Sequence, residues 1–163
     1  MIIETERLLL RKPIADDFEG YWLMKNDEIA TKYTGGVTPC SYETRLELYK
    51  KEWVTADQNT EFSVLLKENR EYIGYCGFVD NNELLYGIKQ SVWQKGYGYE
   101  AAAAMCSYAF SVLNLSFITA TVNPQNIASE RILQKIGFVL NDVLEESGTV
   151  LHKYRLNGTN DII

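Results

Sequence analysis

A chain of 163 residues with an apolar share of 46% fits one domain that buries about 70% of its unfolded surface and needs no disulfide staples. A net charge of −6 and a pI near 4.9 argue against nucleic-acid binding, which draws on clustered Lys and Arg, and suit a cationic partner. Three cysteines outside any CxxC pattern and a single histidine exclude a metal site and point to a reducing, cytoplasmic compartment.

The opening residues Met1–Arg7 carry acids where a secretion signal needs a basic segment. Leu8-Leu9-Leu10, between Arg7 and Arg11, reads as a short strand ended by Pro13. Ala15–Lys25 has helical spacing, with Asp16 and Asp17 placed favourably in the first turn. Asn26–Ser41 is loop-like through Gly35, Gly36 and Pro39, and Ser41 is placed to cap a second helix over Tyr42–Thr55.

Three short aromatic and aliphatic runs follow, Glu61–Lys67, Tyr72–Val79 and Glu83–Lys89, separated by Asn69 and by Asp80-Asn81-Asn82. They predict an antiparallel meander. Tyr97–Leu113 predicts a long helix, Phe117–Val122 a strand, and Ile127–Ile136 a helix stopped by Gly137. Phe138–Glu145 and Val150–Leu156 read as a final hairpin, and Asn157–Ile163 as a frayed tail. No run of about 18 apolar residues exists, so no membrane span is expected. The order describes an α/β (α+β) chain over residues 1–163: one mixed, mostly antiparallel sheet with helices on both faces and a parallel step across Tyr97–Leu113.

Two segments carry chemistry. In Trp93-Gln94-Lys95-Gly96-Tyr97-Gly98-Tyr99-Glu100-Ala101, two glycines stand between a strand and a long helix. Free N–H groups at a helix start bind phosphate without any basic side chain. The alternative is plain β–α punctuation. A P-loop would need GxxxxGK[ST], which is absent, and the meander upstream does not suit a dinucleotide fold. The second segment, Ala120–Ser129 leading to Ile136-Gly137-Phe138, is a strand end, an Asn, a Ser three residues on, and a short helix closed by Gly-Phe.

Together these segments resemble the acetyl-CoA site of the GNAT N-acetyltransferases. Thr5-Glu6-Arg7-Leu8-Leu9-Leu10-Arg11 and Trp93…Gly96-Tyr97-Gly98…Glu100-Ala101 resemble the branch that contains the ribosomal-protein N-terminal acetyltransferases, the RimJ/RimL-like group. The likeness spans Thr5 to Leu156 and is weakest over the substrate-facing stretch Asn26–Asn59. It implies that acetyl-CoA is the cofactor and that its pyrophosphate lies on the backbone of Gln94, Lys95, Gly96, Tyr97, Gly98 and Tyr99. Gln94 departs from the branch, which usually has Gly there. Pantetheine would fit between splayed strands Glu83–Lys89 and Phe117–Val122, with a backbone N–H near Val122 polarising the thioester carbonyl.

By the same resemblance Asn126 contacts the cofactor, although Asn is also a good helix N-cap. Ser129 matches a serine near the thioester sulfur and would protonate the departing thiolate. Its other reading is a local helix hydroxyl. Many relatives carry a tyrosine four residues after that serine, where this chain has Leu133. Glu83 is the candidate general base, or else a solvated strand-end carboxylate. Tyr86 and Tyr108 are further pocket candidates, and Arg131 and Lys135 are solvated helix residues within reach of the adenosine phosphates.

The implied reaction is direct attack of a neutral primary amine on acetyl-CoA. A lysine amine is neutral in roughly one molecule in a thousand near pH 7.5, a protein N-terminus in roughly a quarter to a third. An N-terminal acceptor therefore asks less of a base. A polyamine, an aminoglycoside and a catalytically silent acyl-CoA-binding module are the alternatives. The resemblance makes a homodimer an expected assembly.

Overall fold

The computed structural model describes residues 1–56, 60–80 and 82–158. Eight strands form one sheet: β1 (Ile2–Glu4), β2 (Leu8–Arg11), β3 (Glu61–Leu66), β4 (Tyr72–Val79), β5 (Glu83–Ile88), β6 (Phe117–Val122), β7 (Val139–Glu146) and β8 (Thr149–Asn157). Their order across the sheet is β1-β2-β3-β4-β5-β6-β8-β7. All neighbours are antiparallel except β5 and β6. The helices are α1 (Phe18–Lys25), α2 (Tyr42–Tyr49), α3 (Tyr97–Ser111) and α4 (Ile127–Ile136).

Strand alternation separates two cores. On one face Leu8, Leu10, Phe62, Val64, Cys76, Phe78, Leu84 and Ile118 pack with Ala101, Ala102, Met105 and Ala109 of α3 and Leu133 of α4. The alanines of α3 let its backbone lie close on the sheet. On the opposite face Phe18, Tyr21 and Met24 of α1 join Tyr49, Tyr72 and Tyr75, with Trp53 and Leu85 at the margin. Within that second core Arg11 pairs with the buried Asp17 (2.7 Å), and Ser63 donates to the same carboxylate (2.7 Å). The buried charge is thereby paired and hydrogen-bonded, as burial requires.

The fold differs from the sequence expectation at several ends. Ile2–Glu4 adds a first strand, paired with β2 through Ile3↔Leu10. Ala15–Asp17 is a 3-10 turn before α1, and the second helix continues past Tyr49 as a π-helical turn over Lys50–Val54. The long helix ends at Ser111 rather than Leu113. Asn157, where the sequence expected a frayed tail to start, belongs to β8, opposite Phe117; residues 159–163 of that tail lie outside the described residues, as do residues 57–59 of the substrate-facing stretch and Asn81 between β4 and β5.

Candidate active site

β5 and β6 meet at one register pair, Glu83↔Thr119, reinforced by the Thr119 N–H on the Asn82 carbonyl (3.0 Å). Beyond that pair the strands diverge. Leu84–Ile88 and Ala120–Val122 keep their outer partners on β4 and β8 but have no register partner across the gap, so backbone edges face a wedge inside the sheet. Unpaired strand edges of this kind bind an extended ligand by strand addition.

β5 leads through a 3-10 turn at Gln90–Val92 to the glycine segment. Gly96 has φ +83° and sits as N-cap of α3. Gln94, where the resemblance expected Gly, also adopts a left-handed conformation (φ 62°), which costs a non-glycine residue about 1–2 kcal/mol. A left-handed residue thus stands here with a side chain in place. Both of its ends are anchored: the Trp93 indole N–H donates to the Ile88 carbonyl (2.6 Å), and Arg7 donates to the Lys95 carbonyl (2.9 Å). Among the described residues, the first N–H after Trp93 to find a backbone acceptor is that of Glu100, on the Gly96 carbonyl (3.1 Å). The amides of Gln94 to Tyr99 form a run of donors at the positive end of α3. Gly98 serves a different purpose from Gly96. A Cβ there would lie 3.1 Å from Ile132 Cδ1, so this glycine brings α3 close to α4. Lys135 Nζ stands 4.0 Å from the Tyr99 ring centroid, which places a cation beside the turn.

At the other strand's end, Asn126 caps α4: its side-chain oxygen accepts the Ser129 N–H (3.2 Å). The cap reading of Asn126 holds in the structure. Ser129 Oγ lies 2.6 Å from the Tyr86 hydroxyl, which also donates to the Ser129 carbonyl (3.3 Å). Tyr86 reaches across the wedge from β5 to α4, and burial pushes its phenol well above the ordinary range. It therefore remains a neutral O–H held against the Ser129 hydroxyl.

Glu83 and Tyr86 are an odd number of residues apart on one strand, so they lie on opposite faces. Tyr86 packs on the α3/α4 face with Leu84, whereas Leu85 packs against the α1/α2 cluster and marks the face of Glu83. On that face a second carboxyl, Glu61, sits in the row Glu61–Gly77–Leu85. Burial raises its pKa to about 7 despite the nearby Lys25. Lys25 Nζ donates to the Tyr75 hydroxyl (3.3 Å) and lies 5.1 Å from that ring's centroid. A cavity of about 360 Å³ opens beside this face, between Leu23, Met24 and Asp27 of the α1 end and Lys89, Gln90 and Ser91 after β5.

Residues 7–139 match the acetyltransferase (GNAT) domain family. The chain belongs to the GNAT acetyltransferase family. A relative, the uncharacterized N-acetyltransferase p20 of Bacillus licheniformis, is 32% identical over 92% of this chain and 91% of its own. Two solved structures share the fold. The spermidine N-acetyltransferase of Vibrio cholerae, in complex with CoA and spermine, has a TM-score of 0.82 at 21% identity and covers 94% of this chain and 96% of its own. RimL, a ribosomal L7/L12 alpha-N-protein acetyltransferase in complex with CoA, has a TM-score of 0.78 at 14% identity, covering 96% and 98%.

As a GNAT acetyltransferase the protein uses acetyl-CoA as acyl donor, and its wedge and donor-rich turn suit such a molecule. The two sequence segments follow the diverging strand ends: Gln94 to Tyr99 come after β5, Val122 ends β6, Asn126 and Ser129 stand at the start of α4, where Ser129 meets Tyr86 of β5, and Glu83 marks the paired end. Tyr108 stands apart, stacked edge-on against Phe62 in the core (5.8 Å). Cys76 and Cys106 are buried, and burial raises both thiols, Cys106 to about 12, so neither is a nucleophile. No group of His, Cys, Asp and Glu among the described residues could hold a metal, and no described helix is long and apolar enough to cross a membrane.

Sequence reasoning passed over Arg7, Glu100 and Glu61 and left Tyr86 unpaired. Only the first two had a signal, a basic and an acidic residue within the segments that carried the resemblance. Their partnership depends on the sheet that brings β2 under the start of α3.

Proposed function

We propose that this GNAT enzyme acetylates the primary amine of a protein N-terminus, within the RimJ/RimL-like branch, in the cytoplasm. The observation that carries the mechanism is the wedge closed by Glu83↔Thr119, with Glu83 on one face of β5 and the Tyr86–Ser129 pair on the other. The amides of Gln94, Lys95, Gly96, Tyr97, Gly98 and Tyr99 would hold the pyrophosphate, and Asn126 Nδ2 and the Val122 backbone would line the pantetheine path. When bound, acetyl-CoA supplies the activated acetyl thioester. Glu83 accepts the proton that the acceptor nitrogen gives up, directly or through water, from the α1/α2 face. Ser129 Oγ, oriented by Tyr86, gives a proton on the opposite face. The leaving thiolate, with a thiol pKa of about 8.5 if it behaves like cysteine, asks only modest help. Leu133, where many relatives carry an acid tyrosine, is buried in the core, so Tyr86 supplies the phenol from β5 instead.

A second acceptor class, a polyamine, is favoured by Glu61 and Glu83 sharing one face beside Tyr21, Trp53 and Tyr75. Two strand spacings and one two-residue step put their Cα atoms roughly 12 Å apart. That span suits an acceptor with a second ammonium. The V. cholerae spermidine N-acetyltransferase makes this class a concrete comparison. A homodimer through the exposed β7 edge is part of the proposal.

The test is CoA release measured with acetyl-CoA and two acceptor panels, Ser- or Ala-initiated peptides and diamines to tetraamines. A kcat/KM for peptides at least tenfold above that for polyamines supports the first reading, the reverse order the second. No turnover with either panel while CoA binds would leave an acyl-CoA-binding module.

A further inference from the structure

Glu100 poses an electrostatic problem. A carboxylate in the first turn of α3 belongs there by helix electrostatics, but it competes with a bound phosphate for the same positive end. The structure resolves this through the β1–β2 corner. Glu100 accepts the Thr5 hydroxyl (2.5 Å), the Arg7 backbone N–H (2.8 Å) and the Arg7 guanidinium through Nε (2.8 Å) and Nη2 (2.7 Å). Burial works to raise this carboxyl, but the bonds from Thr5 and Arg7 prevail and hold it below the usual range. Its oxygens are turned toward the β1–β2 corner.

The same guanidinium does two more things. Arg7 Nη1 donates to the Lys95 carbonyl (2.9 Å), and the group lies 4.6 Å over the Tyr97 ring. It also crowds the left-handed Gly96, where a Cβ would come within 3.3 Å of Nη2. One side chain therefore grips the residues before, at and after the turn's N-cap. With a non-glycine residue also left-handed at Gln94, the turn carries strain that persists only when its surroundings over-determine it. Lysine could not substitute, because a single ammonium cannot span a carboxylate and a carbonyl in the fixed geometry of a guanidinium fork.

We propose that Arg7 is a positioning residue for the pyrophosphate of the acyl donor: it fixes the Gln94–Tyr97 amides in their binding arrangement and neutralises Glu100 at the phosphate end of α3. This rests on the reading of the glycine segment as the pyrophosphate site. Arg7 does not touch the donor in this role; it acts through the turn and through Glu100.

The test is a double-mutant cycle on the intact protein. CoA affinity is measured by calorimetry, and that of pantetheine, which lacks the pyrophosphate, by ligand-observed NMR, for the parent, Arg7→Gln, Glu100→Gln and the double variant. Arg7→Gln should weaken CoA roughly tenfold or more and lower the CoA-to-pantetheine affinity ratio by the same factor. Adding Glu100→Gln should recover part of the loss, because it removes the negative charge left without its guanidinium partner at the phosphate end of α3. If Arg7→Gln fails to fold, Arg7→Lys carries the same comparison and should also lower the ratio. A parent that does not bind CoA would sink the cofactor reading and this inference with it. A parent that binds, with an Arg7 variant that keeps the ratio, overturns the inference alone. So does a double variant weaker than Arg7→Gln, since that marks a structural role in place of an electrostatic one.

Discussion

Replacing Tyr86 with Phe isolates one atom of the proposed acid. The ring stays packed against the main core while the hydroxyl that bonds Ser129 Oγ at 2.6 Å is lost. A neutral hydrogen bond of this kind contributes about 1 kcal/mol net, and Ser129 retains solvent contact, so the stability cost should stay near that value. In a chain of this size it lowers Tm by about 2–4 °C. The kinetic effect should be larger than the structural one. General acids contribute about a hundredfold or more in demanding cases, but a thiolate leaves readily, so a loss of about tenfold in kcat, or ~1.4 kcal/mol, is the expectation, with the KM for acetyl-CoA little changed. The assay is initial-rate release of CoA thiol under saturating donor, for Tyr86→Phe, Ser129→Ala and the double variant. Because the two hydroxyls act in series, the double variant should lose little more than the worse single. Losses that multiply would refute the relay, and a change confined to KM would assign Tyr86 to binding.

Three further outcomes are expected. Glu83→Gln should lower kcat by about a hundredfold while leaving CoA affinity measured by calorimetry within about twofold, and a parent-like rate would remove Glu83 as the base. Glu61 has a folded pKa of about 7 against an ordinary value of 4.5; its contribution to stability is present below the unfolded value and lost as pH rises through the folded one. Melting temperature should therefore decline between about pH 5 and 7.5 in the parent and decline less in Glu61→Gln, with equal slopes refuting the assignment. β7 is a sheet edge with Val139 and Val143 exposed, so for the proposed homodimer Val143→Lys should shift the mass measured by light scattering toward monomer; a dimer mass in both proteins would exclude this edge as the contact, and a monomer mass in the parent would overturn the homodimer.

The parts of the fold readable in the sequence are those whose signals are local. Tyr72–Val79, Phe117–Val122 and Ile127–Ile136 match their strands and helix end to end. For α4 the reason is explicit: Asn126 caps one end through the Ser129 N–H, and Gly137 closes the other at φ +113°. Ile2–Glu4 was not readable because three residues followed by a charged corner carry no alternation of their own; only the register with β2 makes them a strand. The same distinction holds for the site. The glycine segment and the Asn-to-Ser segment are local and were legible, down to the Gln94 anomaly. The contacts between them were not. Tyr86 and Ser129 are 43 residues apart, and Arg7 and Glu100 are 93 apart. The elevated carboxyl of Glu61 reflects burial beneath other elements, and a sequence shows that residue only as the polar start of a strand.

The division of labour in the site follows from the parity of one strand. β5 presents Leu84, Tyr86 and Ile88 to the α3/α4 core and Glu83, Leu85 and Gly87 to the α1/α2 side. In the proposed reaction an amine arriving from the second side would meet the Glu83 carboxylate, the Tyr86–Ser129 pair would stand on the first, and the gap beyond Glu83↔Thr119 would be the passage between them. Gly87 keeps that passage compatible with its neighbours: a Cβ there would lie 2.7 Å from the Tyr75 ring, whose hydroxyl holds Lys25. Slipping β5 by one residue against β4 would move Glu83 to the α3/α4 face and Tyr86 to the α1/α2 face. It would also drive Leu84 out of the buried cluster, at a cost of about 2 kcal/mol in lost burial. The packing that fixes the register of β5 is thus also what keeps the proposed base and the proposed acid on opposite faces of the sheet.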